Sequence, residues 1–341
     1  MALAESPTTA KDEADFSRAA DPYRRELLAH CYRMLGSVHD AEDLVQETYL
    51  RAWRGYAAFE GRSSLRTWLH SIATRACLTA LESRRKRPLP TGLGAPSVDA
   101  GEPLVQQGEV PWLEPMPDRL LAARSDDPAE IASKRASVRL ALIAALQHLP
   151  PRQRAVLILR EVLQWRAAEV AEMLDVTPTA VNSILQRARA QLDQVTPRED
   201  DVAEPSTFEQ RELLDRYVAA FERKHIPSIV ELFSADAVWE MPPFVGWYEG
   251  RANIGRLIDI QCPGGTDDMR LVPTAANGQP AFGLYMRTAD GSFEPFNLPV
   301  LTLGPSGVSH VTCFFDLALF ERFALPPLLP ADTPRTGFAH G

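Results

Sequence analysis

The sequence lacks the features that mark membrane, secreted or metal-binding proteins. No apolar run approaches the ~20 residues that cross a membrane, and the charged, alanine-rich start of the chain lacks the apolar stretch of a secretory signal. The four cysteines are far apart and form no Cys-x-x-Cys pair: Cys31, Cys77, Cys262 and Cys313. This spacing argues against a disulfide framework or a zinc site, and it predicts structural thiols in a reducing cytoplasm.

The net charge of −9 also lacks the basic excess typical of nucleic-acid-binding proteins, but the charge is unevenly distributed. Residues 20–90 contain 12 Lys/Arg and 8 Asp/Glu, and residues 134–192 contain 9 and 4. Residues 91–133, which lie between them, contain 2 Lys/Arg and 8 Asp/Glu. Two basic segments joined by an acidic connector favour nucleic-acid contact at both segments, although ordinary surface charge would give a similar distribution.

The 341 residues are enough for two or three domains of ~100–200 residues each. Apolar residues recur at helical spacing over residues 21–87, with Asp21-Pro22 as a helix start. Eight prolines and the acidic excess between residues 88 and 128 predict a linker with little structure of its own.

A second helical segment, residues 129–192, ends in two helices joined by a short turn. Residues 167–174 and 178–192 are the predicted helices, and Thr177 followed by Pro178 is a sharp helix start. Asn, Gln and Arg lie along the outer face of the second helix, as in a DNA-binding helix-turn-helix. A bare helical hairpin would have the same pattern.

From residue 208 the pattern changes to an α+β domain. Helices are predicted first, at 208–223 and 226–233, and strands follow, interrupted by one more helix. The strand candidates are 237–240, 269–275, 280–288, 293–303 and 306–316, and the interrupting helix is 254–260. Glycine and proline punctuate the strands, which predicts a sheet curved around a cavity.

Four stretches carry a resemblance to known families. Residues 40–53 (DAEDLVQETYLRAW), 59–73 (FEGRSSLRTWLHSIA) and 181–189 (VNSILQRAR) resemble the extracytoplasmic-function (ECF) sigma factors of the sigma-70 family. Residues 213–250 resemble the SnoaL-like branch of the NTF2-like fold. The resemblance implies a multidomain protein with two all-α sigma modules, a region 2 helical bundle and a region 4 helix-turn-helix, followed by a cone-shaped α+β domain.

The boundaries that this organisation implies cover the whole chain. They are a flexible N-terminus at 1–20, region 2 at 21–88, an acidic proline-rich linker at 89–128, region 4 at 129–194, a second linker at 195–206, the SnoaL-like domain at 207–325 and a tail at 326–341.

The implied function is that of an RNA polymerase sigma factor directing promoter-specific transcription initiation. Its partners would be the polymerase core, at the clamp of the largest subunit, and promoter DNA; no membrane, cofactor, metal or catalysis is expected. The C-terminal domain would regulate activity in cis, with a small-molecule ligand in its pocket. An alternative is a bifunctional protein whose SnoaL-like domain is a cyclase or isomerase, and a third reading is a one-component repressor using only the helix-turn-helix.

The resemblance also assigns residues to each surface. The predicted core-polymerase-binding set is acidic and polar: Asp40, Glu42, Asp43, Gln46 and Glu47. The predicted minus-ten set could hold an unstacked base and its backbone: Phe59, Arg62, Ser63, Ser64, Arg66, Arg75, Arg84 and Arg85. Trp68 could belong to the core or serve as a stacking platform.

The predicted minus-thirty-five set has four residues along one helical face that could read bases, Thr179, Asn182, Ser183 and Gln186, and two that suit backbone phosphates, Arg187 and Arg189. Asn182 and Ile184 stand where the family commonly has a Lys and an Arg, which leaves the base preference open. The predicted SnoaL pocket contains acid/base candidates and apolar residues: Asp236, Trp239, Glu240, Met241, Phe244, Trp247 and His310.

Overall fold

A computed structural model describes residues 15–83, 86–121, 135–194 and 207–336. The chain divides into two compact units. The first contains the described parts of residues 1–87 and 113–196, and the second contains residues 88–112 and the described residues after 197. The chain therefore enters the second unit, returns to the first and enters the second again.

The secondary structure described in the first unit is entirely helical. Its helices are α1 (Arg24–Leu35), α2 (Val38–Tyr56), α3 (Leu65–Ser83), α4 (Asp118–Leu121), α5 (Leu140–Gln147), α6 (Pro151–Leu157), α7 (Ala167–Leu174) and α8 (Pro178–Leu192). A turn of π-helix, Ile158–Val162, continues α6.

Local sequence explains where these helices begin and end. Gly36 ends α1 with a φ of 70°, a left-handed conformation that glycine adopts without strain, and the Ser37 hydroxyl then caps α2 by accepting the Asp40 N–H. The Thr177 hydroxyl likewise accepts the Ala180 N–H at the start of α8. The predicted helix-turn-helix is present as α7 and α8, with the bounds that the sequence indicated.

The second unit is an α+β domain around one mixed sheet. Its helices are α9 (Thr207–Glu222), α10 (Ile226–Leu232), α11 (Arg251–Gln261) and α12 (Ala318–Arg322). Its strands are β1 (Phe233–Glu240), β2 (Trp247–Glu249), β3 (Met269–Ala276), β4 (Gln279–Arg287), β5 (Phe293–Gly304) and β6 (Gly307–Phe314). The strand order is β2-β1-β6-β5-β4-β3, and only β1 and β6 pair in parallel.

The two faces of this sheet bury different residues. The inner face packs on α9, α10 and α11; Trp239, for example, stacks on Phe221 of α9 with ring centroids 6.2 Å apart. The outer face is covered at one end by α12, where Phe320 packs edge-on against Tyr285 at 5.1 Å. The chain after residue 325 continues this cover, because Leu329 forms a bridge with Phe293. The predicted tail is therefore part of the domain as far as the structure describes it.

The expectation that the 89–128 linker has little structure is wrong for its described part. Residues 88–112 are folded into the C-terminal unit and residues 113–121 into the helical unit. The hydrogen bonds that hold these residues are made mostly by main-chain groups. Such bonds do not require apolar side chains at regular spacing, so no sequence pattern reveals them. Residues 122–134 lie outside the described part of the chain.

Candidate functional site

The predicted polymerase-binding side chains lie on α2. Asp43 and Gln46 are exposed, whereas Glu42 and Glu47 are partly exposed, and Glu47 pairs with Arg51 at 2.6 Å. Asp40 differs from the others, since it is only 9% exposed and its carboxylate accepts a hydrogen bond from Arg87 at 2.7 Å. A second acid, which the sequence did not single out, lies beside this pair.

That acid, Glu114, comes from the linker and caps α2. Its carboxylate accepts hydrogen bonds from the Ser37 hydroxyl and the Val38 N–H, both at 2.9 Å, and pairs with Arg87 at 3.4 Å. A carboxylate at this position satisfies free N–H groups and interacts favourably with the helix dipole. The linker thus fixes the start of the helix that carries the predicted polymerase contacts.

The predicted minus-ten residues surround the loop before α3. Arg62, Ser63 and Ser64 are exposed, and the Ser64 hydroxyl accepts the Thr67 N–H at 3.0 Å, which places it at the helix start. Phe59 is partly buried and stacks on Trp68 at 4.8 Å. Trp68 is therefore part of an aromatic stack at the rim of the loop rather than of the deep core.

Two predicted minus-ten arginines bond to other groups of the same chain. Arg66 forms a bidentate ion pair with Glu26, with its Nε 2.9 and 3.0 Å from the two carboxylate oxygens. Arg75 donates to the Met173 carbonyl, at the end of α7, from 3.2 and 3.3 Å. Arg84 and Arg85 lie outside the described residues. The structure therefore leaves Arg62 as the exposed arginine of the loop itself.

Further arginines join the two helical modules. Arg33 of α1, only 4% exposed, donates to the Ser137 carbonyl at 3.0 Å and hydroxyl at 2.7 Å. Arg154 of α6, 3% exposed, donates to the carbonyls of Met34, at the end of α1, and Leu149. Burial lowers the pKa of each guanidinium to about 10. The region 2 and region 4 helices therefore form one compact body, through contacts that the sequence did not predict.

A pair of buried histidines lies at the same contact. The rings of His30 and His70 are 5.5 Å apart, and His70 also packs edge-on against Trp165 of the second module at 5.6 Å. His30 Nε2 is 2.9 Å from the Thr74 hydroxyl, and His70 Nδ1 donates to the Arg66 carbonyl at 2.9 Å. Burial, with neighbouring positive charge, lowers the pKa of both imidazoles.

The predicted minus-thirty-five side chains share one exposed face of α8. Thr179, Asn182, Ser183, Gln186, Arg187 and Arg189 are all exposed. Val181, Leu185 and Ala188 are buried on the opposite face, and Ile184 is half-buried between the two. Arg189 pairs with Glu161 at 2.6 Å. The arrangement is compatible with a helix that reads a DNA groove.

The predicted SnoaL pocket residues do not form a single pocket. Trp239 and Met241 belong to the inner core, with Phe244 packed at its edge. Glu240, Trp247 and His310 lie on the outer face, because alternate residues of a strand point to opposite sides of a sheet. Asp236 is exposed next to the irregular register of β1 between Phe233 and Val238, so its predicted pocket position is wrong.

Glu240 is the centre of a polar cluster on the outer face. It is fully buried, and its Oε1 lies 2.8 Å from His310 Nε2 and accepts the Thr312 hydroxyl at 3.1 Å. Its Oε2 accepts the main-chain N–H of linker residue Thr91 at 3.0 Å. Burial by itself would raise the pKa of Glu240, but the charge and hydrogen bond of His310 and the bond from Thr91 outweigh burial and lower it.

The linker continues from this cluster along the edge strand β2. The Trp247 indole N–H donates to the Gly94 carbonyl at 2.8 Å, and the Ser97 N–H donates to the Trp247 carbonyl at 2.7 Å. Ala100 is buried in the inner core, and its carbonyl accepts a bond from Gln261 of α11 at 3.0 Å.

The last part of the docked segment pairs with the loop after β1. The Gln107 N–H donates to the Pro243 carbonyl at 3.0 Å, the Val105 carbonyl accepts the Val245 N–H at 3.1 Å, and Gln106 bridges to Phe244. An edge strand left open is prone to unwanted pairing with other chains. The linker covers the edge of this sheet at β2 and at the loop before it.

Within the described ranges, no helix is long and apolar enough to cross a membrane, and no group of three His, Cys, Asp or Glu side chains could hold a metal ion. Cys31, Cys77 and Cys313 are buried and Cys262 is half-buried, all as free thiols.

Comparisons with known proteins agree on the family. The family model for Sigma-70 region 2 matches residues 20–87, and that for Sigma-70 region 4 matches residues 139–192. The ECF RNA polymerase sigma factor SigG of Mycobacterium tuberculosis (strain H37Rv) is 58% identical over 92% of this chain and 85% of its own length.

A second relative has the same overall organisation. The ECF RNA polymerase sigma factor SigJ of M. tuberculosis is 27% identical over 92% of this chain and 95% of its own length. Its crystal structure superposes with a TM-score of 0.56, covering 93% of this chain and 99% of that one. The α+β unit has the fold of the corresponding part of that structure. The chain belongs to the ECF RNA polymerase sigma factors, proteins that direct transcription initiation rather than catalyse a reaction.

Proposed function

We propose that the C-terminal domain of this sigma factor regulates promoter-specific initiation in cis, by binding the linker between regions 2 and 4. The observation that carries the proposal is the hydrogen-bonded path of linker residues 88–112 across the SnoaL-like domain. A sigma factor binds core polymerase and promoter DNA; the finer assignments to the polymerase clamp through α2, to the minus-ten element through residues 59–66 and to the minus-thirty-five element through α8 are part of the proposal.

The geometry of a promoter explains why binding the linker would regulate initiation. Elements about 25 base pairs apart are separated by about 85 Å at 3.4 Å per pair, so two modules that read both must move apart. Residues 88–112, if fully extended, could span roughly 80–90 Å at about 3.3–3.6 Å per residue. Held by the C-terminal domain, they cannot extend, and the docked linker favours the compact arrangement in which Arg75 is bonded to Met173.

The test is in vitro transcription with core polymerase, comparing the full chain with a chain ended after Asp201. The shorter chain keeps both sigma regions and the linker but loses the domain that binds the linker, so we expect higher promoter output. An Asn182→Ala variant of both chains serves as a control for promoter-dependent output. Equal output from the two chains would contradict regulation by the C-terminal domain.

The structure offers no support for the enzymatic alternative. Glu240 and His310 are committed to each other on the outer face, away from the apolar inner core, and Asp236 is exposed. The one-component repressor is excluded by the match of residues 20–87 to Sigma-70 region 2.

A further inference from the structure

The outer face of the C-terminal sheet contains a polar site that the inner core does not need. Strands β1 and β6 place Glu240, His310 and Thr312 side by side, because Val238 is opposite His310 and Glu240 is opposite Thr312 in the parallel pair. A carboxylate that is fully buried is costly unless its oxygens accept hydrogen bonds. Two of the donors come from the sheet itself and the third is the Thr91 N–H, from a residue 149 positions earlier in the chain.

The linker binds this site through a buried turn and main-chain hydrogen bonds, as a bound peptide does. Residues Pro90–Gly92 form a single 3-10 turn in which Pro90 is buried, and Leu89 before it is only 4% exposed. Main-chain groups on both sides of the turn are recognised, the Thr91 N–H by Glu240 and the Gly94 carbonyl by the Trp247 indole N–H. Many domains bind peptides by recognising their main-chain groups and by burying an apolar side chain beside them.

We propose that Glu240, His310, Thr312 and Trp247 form a peptide-binding site on the outer face of the SnoaL-like domain, filled in this chain by linker residues 89–97. Glu240 binds the ligand by accepting a hydrogen bond from a main-chain N–H. His310 and Thr312 are positioning residues that hold the Glu240 carboxylate. The ligand class is a short proline-containing peptide turn with a free N–H after the proline. The inference rests on the proposed regulation, in which this site would hold the linker. Whether the site exists is tested separately from whether it regulates initiation.

The experiment is hydrogen–deuterium exchange of the full chain, followed by mass spectrometry. In Glu240→Gln the carboxylate becomes an amide of the same shape that presents an NH2 group toward donors. A hydrogen bond to a charged acceptor is strong enough to change an equilibrium about ten- to a hundredfold. We therefore expect the amides of residues 91–97 to exchange at least tenfold faster. Glu249→Gln on β2 is the matched control, since Glu249 is exposed, and it should exchange like the wild type.

A second variant addresses the case in which Glu240→Gln unfolds the domain. Trp247→Phe keeps an aromatic ring at a partly exposed position but removes the indole N–H that binds the Gly94 carbonyl. We expect faster exchange confined to residues 91–97, with unchanged protection of β3, β4 and β5. Wild-type exchange of the linker in both variants, or in Trp247→Phe if the other does not fold, would overturn the proposed site.

Promoter output of the same variants separates this inference from the proposed regulation. Faster linker exchange together with increased output supports both. Faster linker exchange with unchanged output supports the peptide-binding site and contradicts regulation through it.

Discussion

At the residue scale, the buried polar groups of the helical unit are the features that the sequence revealed least. Arg33, Arg154, His30 and His70 are each at most 4% exposed, yet the sequence analysis assigned none of them a role. The predictable residues were those whose role depends on local sequence, such as the Thr177 cap. A buried polar residue depends on partners far along the chain, and sequence spacing does not reveal such partners.

The buried histidines predict a pH-dependent stability. The folded-state pKa of His30 and His70 lies below the usual 6.5, so the unfolded chain binds protons more readily once the pH falls below that value. Stability from the neutral imidazoles is therefore greatest above pH ~6.5 and is lost progressively as the pH falls below that value.

Urea unfolding at pH 7.5 and pH 5.5 measures this difference. Glu26, Arg66 and Arg33 also face the pair, so the comparison must isolate the imidazoles. We expect the His30→Gln/His70→Gln double variant to lose less stability between the two pH values than the wild type. The same loss in both proteins would assign the pH dependence to other groups.

Glu114 predicts a second effect at this scale. Replacing it with Ala removes the acceptor for the Ser37 hydroxyl and the Val38 N–H and leaves Arg87 with one carboxylate fewer. We expect the free energy of unfolding of the helical unit to fall by about 1–2 kcal/mol, as for loss of a helix cap. Thermal unfolding followed by circular dichroism measures the change, with exposed Glu109→Ala as the control; equal melting temperatures would contradict the capping role.

At the element scale, amphipathic periodicity predicted most helices and the major strands. Helices α7 and α8 begin and end where the sequence indicated. The short strand β2 and helix α12 were missed, because three and five residues contain too few positions for a period to appear. The assignment of the residues between Asp236 and Trp247 to one pocket failed for a related reason: alternation along β1 divides neighbouring residues between two faces.

The exposed face of α8 predicts separable effects on promoter binding. Asn182→Ala or Gln186→Ala should each weaken binding of polymerase holoenzyme by about 1–3 kcal/mol at its preferred minus-thirty-five sequence and less at altered sequences. Arg187→Ala should weaken binding to all sequences and reduce its salt dependence. Fluorescence anisotropy over a salt series measures both effects. Because all three residues are exposed, melting temperatures should not change, and uniform weakening by all three variants would contradict base reading by Asn182 and Gln186.

At the scale of the whole molecule, the division of the chain into two units was not predictable from composition. The acidic, proline-rich stretch reads as a linker, yet its two described parts belong to different units. Its main-chain hydrogen bonds are compatible with many side chains, so composition gives no sign of them. The sequence predicted the order of the domains and the nature of each, but not which unit would bind the connector.

The contact between regions 2 and 4 predicts a conformational response. Arg33→Met keeps an apolar chain of similar length but cannot donate to Ser137, so the two modules should separate more often. Fluorophores placed at Ser63→Cys and Ser183→Cys, both at exposed positions, report the separation by energy transfer. We expect lower transfer in Arg33→Met than in the wild type. Arg62→Ala, which alters an exposed arginine of the loop, is the control; unchanged transfer in Arg33→Met would show that Arg33 does not hold the modules together.

The docked linker also makes the C-terminal domain discontinuous along the chain. Its two pieces, residues 88–112 and the residues after 197, are synthesised with the whole of region 4 between them. A single proteolytic cut between the pieces breaks the chain but not the hydrogen bonds at Thr91, Gly94 and Gln107. The two fragments should therefore migrate together under native conditions and separate only in denaturant. Separation of the two pieces by proteolysis would therefore require breaking the hydrogen bonds of Glu240 as well as cutting the backbone.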